Sequence, residues 1–414
     1  MRTRTEPLRG EGSPLQASLY IHVPFCVGSC DYCDFYSIPL NLSHEHTVNT
    51  RLNAFIETLL LDGERFFETF RPGKVPTVYI GGGTPSVLGS ERILGLLNGI
   101  NRLISRYAPV PEEITVEANP ESADEAFLAA ACKSGATRLS MGVQTFYTPS
   151  RRAVNRAGYG SDLSGLYERL ALAAQYFPGA LSLDLISGLP FQNEKILKDD
   201  INTALSYKPA HISLYALTLE PGTPLADQSS AQNILPPKDE ADRLWICGRD
   251  ALENSGLHQY EVSNFCLPGK ESRHNIRYWR MQNWLAMGPA ASGTVINDET
   301  GSGFRYTVPP DVDRWIGNRE QGTGNREELD SFTLMKEIFL MGFRYIEGPD
   351  EELFQRRFRR SSNDCIPKTI YAWRGGGFIQ SGKIALTKEG LLFLDSFLTD
   401  AFLELDAYVA HDIK

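Results

Sequence analysis

The feature that most limits the possible folds is a regular alternation of short apolar segments and longer helical segments between residues 17 and 220. The apolar segments predict six strands, at 18–23, 77–80, 114–117, 138–142, 181–186 and 211–214. Strands that alternate with helices run parallel, with right-handed crossovers. The chain therefore predicts an α/β fold, either an open doubly wound sheet or a partial barrel. In both folds the site lies at the carboxyl ends of the strands.

The remainder of the chain is less regular and predicts additional units around this core. A helix is predicted at 241–254 and a short strand at 259–263, whereas 265–330 shows weak periodicity. Helices followed by a small hairpin and a last helix at 388–402 predict a winged-helix-like unit. We therefore divide the chain into an N-terminal tail (1–16), a core barrel (17–220), an elaboration (221–327) and a C-terminal helical, winged-helix-like domain (328–414).

The charge balance of the 414 residues excludes some partners. Lys and Arg number 41 and Asp and Glu 51, which gives a net charge of −10. A chain of this charge is not expected to bind nucleic acid through its overall field. No apolar run approaches the roughly 18 residues that span a bilayer, and no apolar segment follows the first arginines. We therefore expect a cytoplasmic protein with no membrane span and no nucleic-acid partner.

Three of the seven cysteines, Cys26, Cys30 and Cys33, follow the first predicted strand at the spacing CxxxCxxC. An odd number of cysteines in a reducing compartment favours a metal or catalytic site over disulfides. Thiolates are the ligands of iron–sulfur clusters, and three of them would leave one iron of a [4Fe–4S] cluster without a protein ligand. The alternatives are a structural Cys₃His zinc site that uses His22, or a redox pair of Cys30 and Cys33.

Glycines and polar residues lie at or near the carboxyl ends of the predicted strands, where parallel strands bring them to one edge. A lone residue of this kind is typically solvated or caps a helix, but residues in successive units indicate a shared site. Glycines allow close backbone approach, carboxylates bind amines or ribose hydroxyls, and arginine binds carboxylates. These residues are Gly82, Gly83 and Thr84 after the second strand, Glu117 and Gln144 at the ends of the third and fourth, Arg156 beyond them and Asp184 within the fifth.

The cysteine spacing resembles that of radical S-adenosylmethionine (SAM) enzymes. The resemblance implies a partial (β/α)6 TIM-like barrel and a [4Fe–4S] cluster whose fourth iron binds the amine and carboxylate of SAM. It also implies cleavage of SAM to a 5′-deoxyadenosyl radical by an electron from a reductant such as flavodoxin or ferredoxin. The cofactor-binding residues that it implies are Tyr20, Tyr32, Gly82, Gly83, Thr84, Glu117, Gln144, Arg156 and Asp184.

Longer motifs resemble one family within these enzymes, the oxygen-independent coproporphyrinogen III oxidase family, over most of residues 17–290. The motifs are SLYIHVPFC, YIGGGTPS, EANP, GVQTF, DLISGLP and LTLEPGTPL. The oxidases have a fourth cysteine two positions after the third, where this chain has Phe35, as in the heme chaperone branch (the HemW group). The HNxxYW motif of that group matches the segment from His274 to Trp279.

The resemblance to the HemW group implies a heme carrier that delivers heme to acceptor proteins, which include membrane-associated ones. It leaves open whether the chain is an enzyme. His274 is then a candidate axial ligand of heme iron with Asn275 beside it, and Tyr278 and Trp279 are candidates to stack on the porphyrin. In the alternative, the motif is packed structure and the histidine is hydrogen-bonded away from iron.

Two other functions stay open at this point. One is the oxidative decarboxylation of coproporphyrinogen III to protoporphyrinogen IX. The other is a zinc-structured binding module without redox chemistry.

Overall fold

The computed structural model describes residues 14–156, 163–232, 234–317 and 324–412, so residues 1–13 of the predicted N-terminal tail (1–16) lie outside it. All six predicted core strands are present, and most are slightly longer than the pattern predicts. They are β1 (Ser18–Val23), β2 (Thr77–Gly82), β3 (Glu113–Ala118), β4 (Arg138–Gln144), β5 (Leu181–Ser187) and β6 (His211–Ala216). They pair in parallel in chain order, which confirms the predicted α/β class.

A seventh parallel strand joins the sheet from the elaboration. The later strands are β7 (His258–Gln259), β8 (Asn264–Cys266), β9 (Trp284–Met287), β10 (Ser292–Asn297), β11 (Ser302–Thr307) and β12 (Asn325–Leu329). β9 pairs in parallel with β1, and the others extend both edges in antiparallel pairing. The order is β12-β11-β10-β9-β1-β2-β3-β4-β5-β6-β8-β7. The ends of this order do not meet among the described strands, as in a partial barrel.

The strand predicted at 259–263 is wrong. The backbone turns within this segment, where the amide of Tyr260 donates to the carbonyl of Asn264 (3.1 Å). The chain instead forms the two short strands β7 and β8, which pair with each other.

Helices cover the outer face of the sheet and fill the connections. Around the barrel they are α1 (Glu45–Phe70), α2 (Gly89–Ser105), α3 (Glu125–Lys133), α4 (Thr148–Ala153), α5 (Ser164–Tyr176) and α6 (Glu194–Ser206). The elaboration holds α7 (Pro224–Gln232), α8 (Lys238–Asn254), α9 (Arg273–Trp279) and α10 (Val312–Gly317). Short 3₁₀ helices, Leu42–His44 and Pro85–Leu88, precede α1 and α2. The predicted helix at 241–254 is α8, which begins earlier than predicted.

The two faces of the parallel strands differ in polarity, and this difference positions the site. Side chains such as Leu19, Ile21, Val78 and Ile80 belong to the apolar core that the strands share with the helices. Because side chains alternate along a strand, the residues between them point to the barrel interior. There the side chains are largely polar and include Tyr20, Tyr79, Glu117, Ser140 and Asp184. The interior therefore offers hydrogen-bonding groups instead of a filled apolar core.

The C-terminal region is helical and has its own apolar cluster. Its helices are α11 (Ser331–Gly342), α12 (Glu351–Phe358), α13 (Ser362–Cys365), α14 (Pro367–Gly375), α15 (Lys388–Leu391) and α16 (Leu394–Asp412). The last predicted helix (388–402) is thus divided between α15 and α16. The predicted hairpin is a single antiparallel bridge between Ile379 and Leu386. The apolar core of the barrel also includes residues of the elaboration, as far as Trp315. The core therefore does not mark a boundary at residue 220, and the proposed domain division stays a prediction.

Candidate functional site

The cysteine loop leaves β1 and folds back on itself at the carboxyl edge of the sheet. Two short parallel segments close it, Phe25–Cys26 and Ile38–Pro39. Inside the loop, the amide of Cys33 donates to the carbonyl of Cys30 (3.1 Å). Cys26, Cys30 and Cys33 are therefore carried by one short closed loop, with all three thiols free of disulfides.

The loop after β2 supports Cys26. The hydroxyl of Thr84 lies 3.1 Å from the Cys26 sulfur and accepts a hydrogen bond from the Asn119 amide (2.8 Å), so its own hydrogen is left for the sulfur. The amide of Thr84 donates to the carbonyl of Phe25 (2.6 Å). A Cβ at Gly83 would lie 2.5 Å from that same carbonyl oxygen, so only glycine fits. The predicted residues Gly83 and Thr84 thus contact the cysteine loop itself.

Arg156 places a cation against the second cysteine. Its Nη1 lies 3.7 Å from the Cys30 sulfur, and its Nη2 donates to the carbonyl of Gly142 (2.6 Å). Nη1 is oriented to donate a weak hydrogen bond to that sulfur. The buried Nε of Arg156 has no hydrogen-bond partner among the described residues. Three thiols with an adjacent cation and an unsatisfied donor fit an iron–sulfur cluster with a further ligand.

A buried ion network behind Arg156 was not predicted from the sequence. The Glu121 carboxylate pairs with Nη2 of Arg151 (3.1 Å) and with Nη2 of Arg156 (3.4 Å). Burial opposes the charge on Arg156, but Glu121, Tyr32 and Cys30 raise its pKa above the ordinary value. The two arginines and one carboxylate leave one net positive charge beside the cysteine loop. Glu121 lies in the turn after β3, where the sequence carries no signal for this pairing.

The structure gives no support to the zinc-site alternative, because both ring nitrogens of His22 are hydrogen-bonded within the protein. Its Nε2 lies 3.0 Å from the carbonyl of Tyr36, which can only accept, and its Nδ1 lies 3.0 Å from the hydroxyl of Tyr20. Nε2 therefore carries the hydrogen and Nδ1 accepts from Tyr20. Among the described residues, no three His, Cys, Asp or Glu side chains are arranged to hold a single metal ion, the three cysteines included.

Glu117 and Asp184 face the barrel interior. The Glu117 carboxylate accepts hydrogen bonds from the hydroxyl of Tyr79 (2.6 Å) and the amide of Gly82 (3.1 Å). Burial nevertheless raises the pKa of Glu117 to about 7. The Ser140 hydroxyl lies 3.2 Å from both carboxylate oxygens of Asp184, whose pKa burial also raises. The half-buried carboxylate of Asp184 therefore has the partner that its position in an apolar strand requires.

Gln144 and Tyr32 complete the set of residues predicted for the cofactor. Gln144 has a left-handed backbone (φ 70°), and its amide nitrogen lies 2.9 Å from a Cβ built on Gly142, so the side chain folds across that glycine. Tyr32 packs in an apolar cluster with Val154 and Leu189, and burial raises its pKa. The structure thus places the predicted residues along the carboxyl edge and upper interior of the barrel, whereas Tyr20 lies within β1 and bonds to His22.

The HNxxYW residues lie at the opposite end of the sheet. Nδ1 of His274 donates to the hydroxyl of Thr77 (2.8 Å), the first residue of β2, and that hydroxyl donates to Ser18 at the start of β1. Nε2 of His274 then accepts from the hydroxyl of Tyr278 (3.0 Å). A six-residue strand such as β2 is about 20 Å long, which separates α9 from the cysteine loop.

The structure therefore matches the packed alternative for this motif and not axial ligation. His274 is buried with both ring nitrogens bonded, and burial lowers its pKa to about 3. Tyr278 packs edge-on against Trp284, whereas Trp279 belongs to a separate cluster with Tyr260. The amide of Asn275 donates to the capping hydroxyl of Ser272 (3.4 Å). In this arrangement α9 packs against the amino ends of β2 and β3 and closes that end of the barrel.

The Radical SAM superfamily model matches residues 20–204. The chain is 32% identical to heme chaperone HemW of Bacillus subtilis (strain 168), over 93% of this chain and 99% of that protein. It is also 32% identical to the mitochondrial radical S-adenosyl methionine domain-containing protein 1 of Danio rerio, over 95% of this chain and 88% of that protein.

Solved structures agree on the fold. Coproporphyrinogen III oxidase (HemN) from Escherichia coli superposes with a TM-score of 0.75 at 19% identity, over 94% of this chain and 90% of that chain. At this identity the likeness shows a common fold. The chain therefore belongs to the radical SAM superfamily, in the family that includes the HemW heme chaperones.

Proposed function

We propose that this chain binds a [4Fe–4S] cluster, SAM and heme, and acts as a heme chaperone that hands heme to acceptor proteins. The observation that carries the proposal is the 32% identity to the Bacillus subtilis heme chaperone along 93% of the chain. Phe35 supports it, because the related oxidases have a fourth cysteine at this position. A cytoplasmic location and acceptors that include membrane-associated proteins are part of the proposal.

Among the described residues, the helices include none long and apolar enough to cross a membrane.

In the proposed cofactor site, Cys26, Cys30 and Cys33 would be the protein ligands of the cluster. Bound SAM would supply radical chemistry, with flavodoxin or ferredoxin as the kind of reductant proposed. Arg156 would help to position Cys30 through the 3.7 Å contact between its Nη1 and the Cys30 sulfur.

The remaining residues are proposed to bind SAM. The Glu117 carboxylate has lone pairs beyond those used by Tyr79 and Gly82. It would accept hydrogen bonds from the amino group or the ribose hydroxyls of SAM. The Nε of Arg156, which has no hydrogen-bond partner among the described residues, would bind the carboxylate of SAM. The other proposed contacts are Tyr20, Tyr32, Gly82, Gly83, Thr84, Gln144 and Asp184.

A second candidate function is oxidative decarboxylation of coproporphyrinogen III. The six oxidase-family motifs between residues 18 and 225 favour it, since they surround the same loop and strand ends. The two functions differ in turnover, because an enzyme converts many substrate molecules and a carrier converts none.

The experiment that separates them is an anaerobic assay of the reconstituted protein with SAM, a reductant and coproporphyrinogen III. The chaperone proposal predicts no protoporphyrinogen IX above the level of a Cys30→Ala control, measured by chromatography. Sustained multiple turnover would contradict it and establish the oxidase. Iron and sulfide analysis of the same sample verifies that the cluster was present.

A further inference from the structure

The turn after β5 displays an aromatic side chain in an unfavourable conformation. Phe191 is 53% exposed, and its backbone is left-handed (φ 63°). Both features are unfavourable for a phenylalanine, since L-residues with a Cβ avoid this region and apolar side chains favour burial. Strained residues that persist are concentrated at binding sites and active sites, where the surrounding structure enforces them.

Buried polar groups fix the backbone on both sides of Phe191. The hydroxyl of Ser150 donates to the carbonyl of Pro190 (2.5 Å). On the other side, the side-chain oxygen of Gln192 accepts from the amides of Gly188 (2.6 Å) and Leu189 (3.3 Å), and its nitrogen donates to the carbonyl of Ile186 (3.1 Å). Ser150 and Gln192 are both buried. The turn is thus rigid, and Phe191 is its exposed apex.

A second layer holds this turn against β4. The nitrogen of Gln192 lies 3.5 Å from the buried carboxylate of Asp200 on α6. The same carboxylate accepts from the amide of Phe146 (2.7 Å) and the hydroxyl of Thr145 (2.7 Å), immediately after Gln144. The backbone of this turn is therefore held against the end of β4 through Gln192 and Asp200, independently of the Phe191 ring.

Phe191 belongs to an apolar rim at the carboxyl edge of the barrel. We use the term apolar rim for four exposed side chains, Phe35, Phe191, Tyr215 and Leu219. The loops that carry them pack together, because Tyr32 of the cysteine loop shares a cluster with Leu189 and Leu217. The amide of Leu217 also donates to the carbonyl of Ser187 (2.9 Å), which continues the β5–β6 pairing into the rim.

We propose that Phe191 contacts the flat face of the tetrapyrrole at this rim, so that heme binds over the barrel mouth and not at α9. A porphyrin presents a wide apolar face, which an exposed and rigidly held aromatic ring can stack on at little entropic cost. The buried, fully bonded ring of His274 offers no comparable surface. The inference rests on the proposed heme-carrier function and assigns its binding surface.

The test is a hemin titration of four anaerobically reconstituted variants, followed by Soret absorbance. Phe191→Ala and Phe191→Gly remove the ring, and Phe191→Trp keeps an aromatic face. Tyr371→Ala is the control, since Tyr371 is an 83% exposed aromatic on α14 in the C-terminal region. Cluster content, SAM affinity and thermal unfolding are measured on the same samples.

We expect both ring-deleting variants to bind hemin at least about tenfold more weakly, with Phe191→Trp and Tyr371→Ala near wild type. Cluster content and SAM affinity should be unchanged. Phe191→Gly should unfold at a higher temperature than Phe191→Ala, because glycine accepts the left-handed backbone. This combination separates a lost contact from a damaged fold.

Three results would overturn the inference. Hemin affinities of the Ala and Gly variants within about twofold of wild type would remove Phe191 from the heme site. A parallel loss of SAM binding would make Phe191 a structural support of the cofactor site. Wild-type protein without saturable hemin binding would contradict the proposed function itself, and the inference with it.

Discussion

Cys30 combines burial with a contact to Arg156, which makes it the most informative single residue of the cysteine loop. We expect Cys30→Ala to abolish the full cluster spectrum, because a thiolate ligand is lost and Arg156 is left beside an apolar side chain. Cys132→Ala is the matched control, since Cys132 is exposed on α3. Iron and sulfide analysis after anaerobic reconstitution measures both. Full cluster content in Cys30→Ala would contradict the ligand assignment.

Substitution of His274 should lower the stability of the fold and leave the affinity for heme unchanged. His274→Asn leaves the hydroxyls of Thr77 and Tyr278 without a ring partner, which should reduce the free energy of unfolding by about 1–3 kcal/mol. Urea unfolding measures the stability, and hemin titration measures the affinity. An unchanged stability with weakened hemin binding would restore the axial-ligand hypothesis.

The same residue gives a prediction for pH. The folded pKa of His274 is lowered to about 3, whereas an unfolded histidine titrates near 6.5. The unfolded chain therefore binds more protons in this window, and the stability that His274 contributes is present above about pH 6.5 and lost as the pH falls toward 3. Wild type should lose stability more steeply than His274→Asn between about pH 6.5 and 4. Equal pH dependence of stability in the two proteins would contradict the prediction that His274 is buried and neutral.

At the residue scale, the sequence predicts what is local and misses what is brought together by the fold. The cysteine spacing is local, so the sequence alone predicts Cys26, Cys30 and Cys33 as cluster ligands. The partner of His274 is Thr77, which is 197 positions away, so the fully bonded ring could not be read from the motif. The Glu121–Arg151–Arg156 network was missed for a similar reason, since only folding places the turn after β3 against α4.

At the element scale, α9 is held in the amino end of the barrel by a carboxylate at its N-terminus. Glu113, at the start of β3, accepts from the amides of Arg273 (3.1 Å) and His274 (3.0 Å). Its neighbour Glu112 forms exposed pairs with the side chains of Lys74 (3.1 Å) and Arg273 (2.7 Å). Adjacent glutamates thus differ in burial and in what they bind.

These two glutamates form a matched pair of substitutions. Glu113→Gln should lower the free energy of unfolding by about 1.5–3 kcal/mol, because an amide cannot accept both bonds and loses the charge at a helix N-terminus. Glu112→Gln should change it by less than about 1 kcal/mol, as for other exposed pairs. Urea unfolding of both proteins measures the difference. Equal effects would show that Glu113 does not anchor α9.

The strands of the barrel were predictable because each is an apolar run between helical segments. β9 was not, since it has only four residues and lies where aromatic, glycine and asparagine residues obscure any period. Its pairing with β1 depends on tertiary structure. The strand predicted at 259–263 failed because a turn divides an otherwise β-prone segment.

At the scale of the whole molecule, the polar barrel separates two ends with different roles. The amino end is closed by α9 and its hydrogen bonds, and the carboxyl end carries the cysteine loop, the proposed SAM residues and the apolar rim. The fold class and this carboxyl-end location follow from the β/α alternation alone. The closed amino end does not, because it required the packing of α9 against strands far away in the sequence.

The measurement that tests the heme-chaperone account most directly is a hemin titration of the full, anaerobically reconstituted chain. The account predicts a Soret change that saturates at one heme per chain and reverses when an apo heme protein is added as acceptor. A signal that does not saturate, or heme that no acceptor can withdraw, would contradict it.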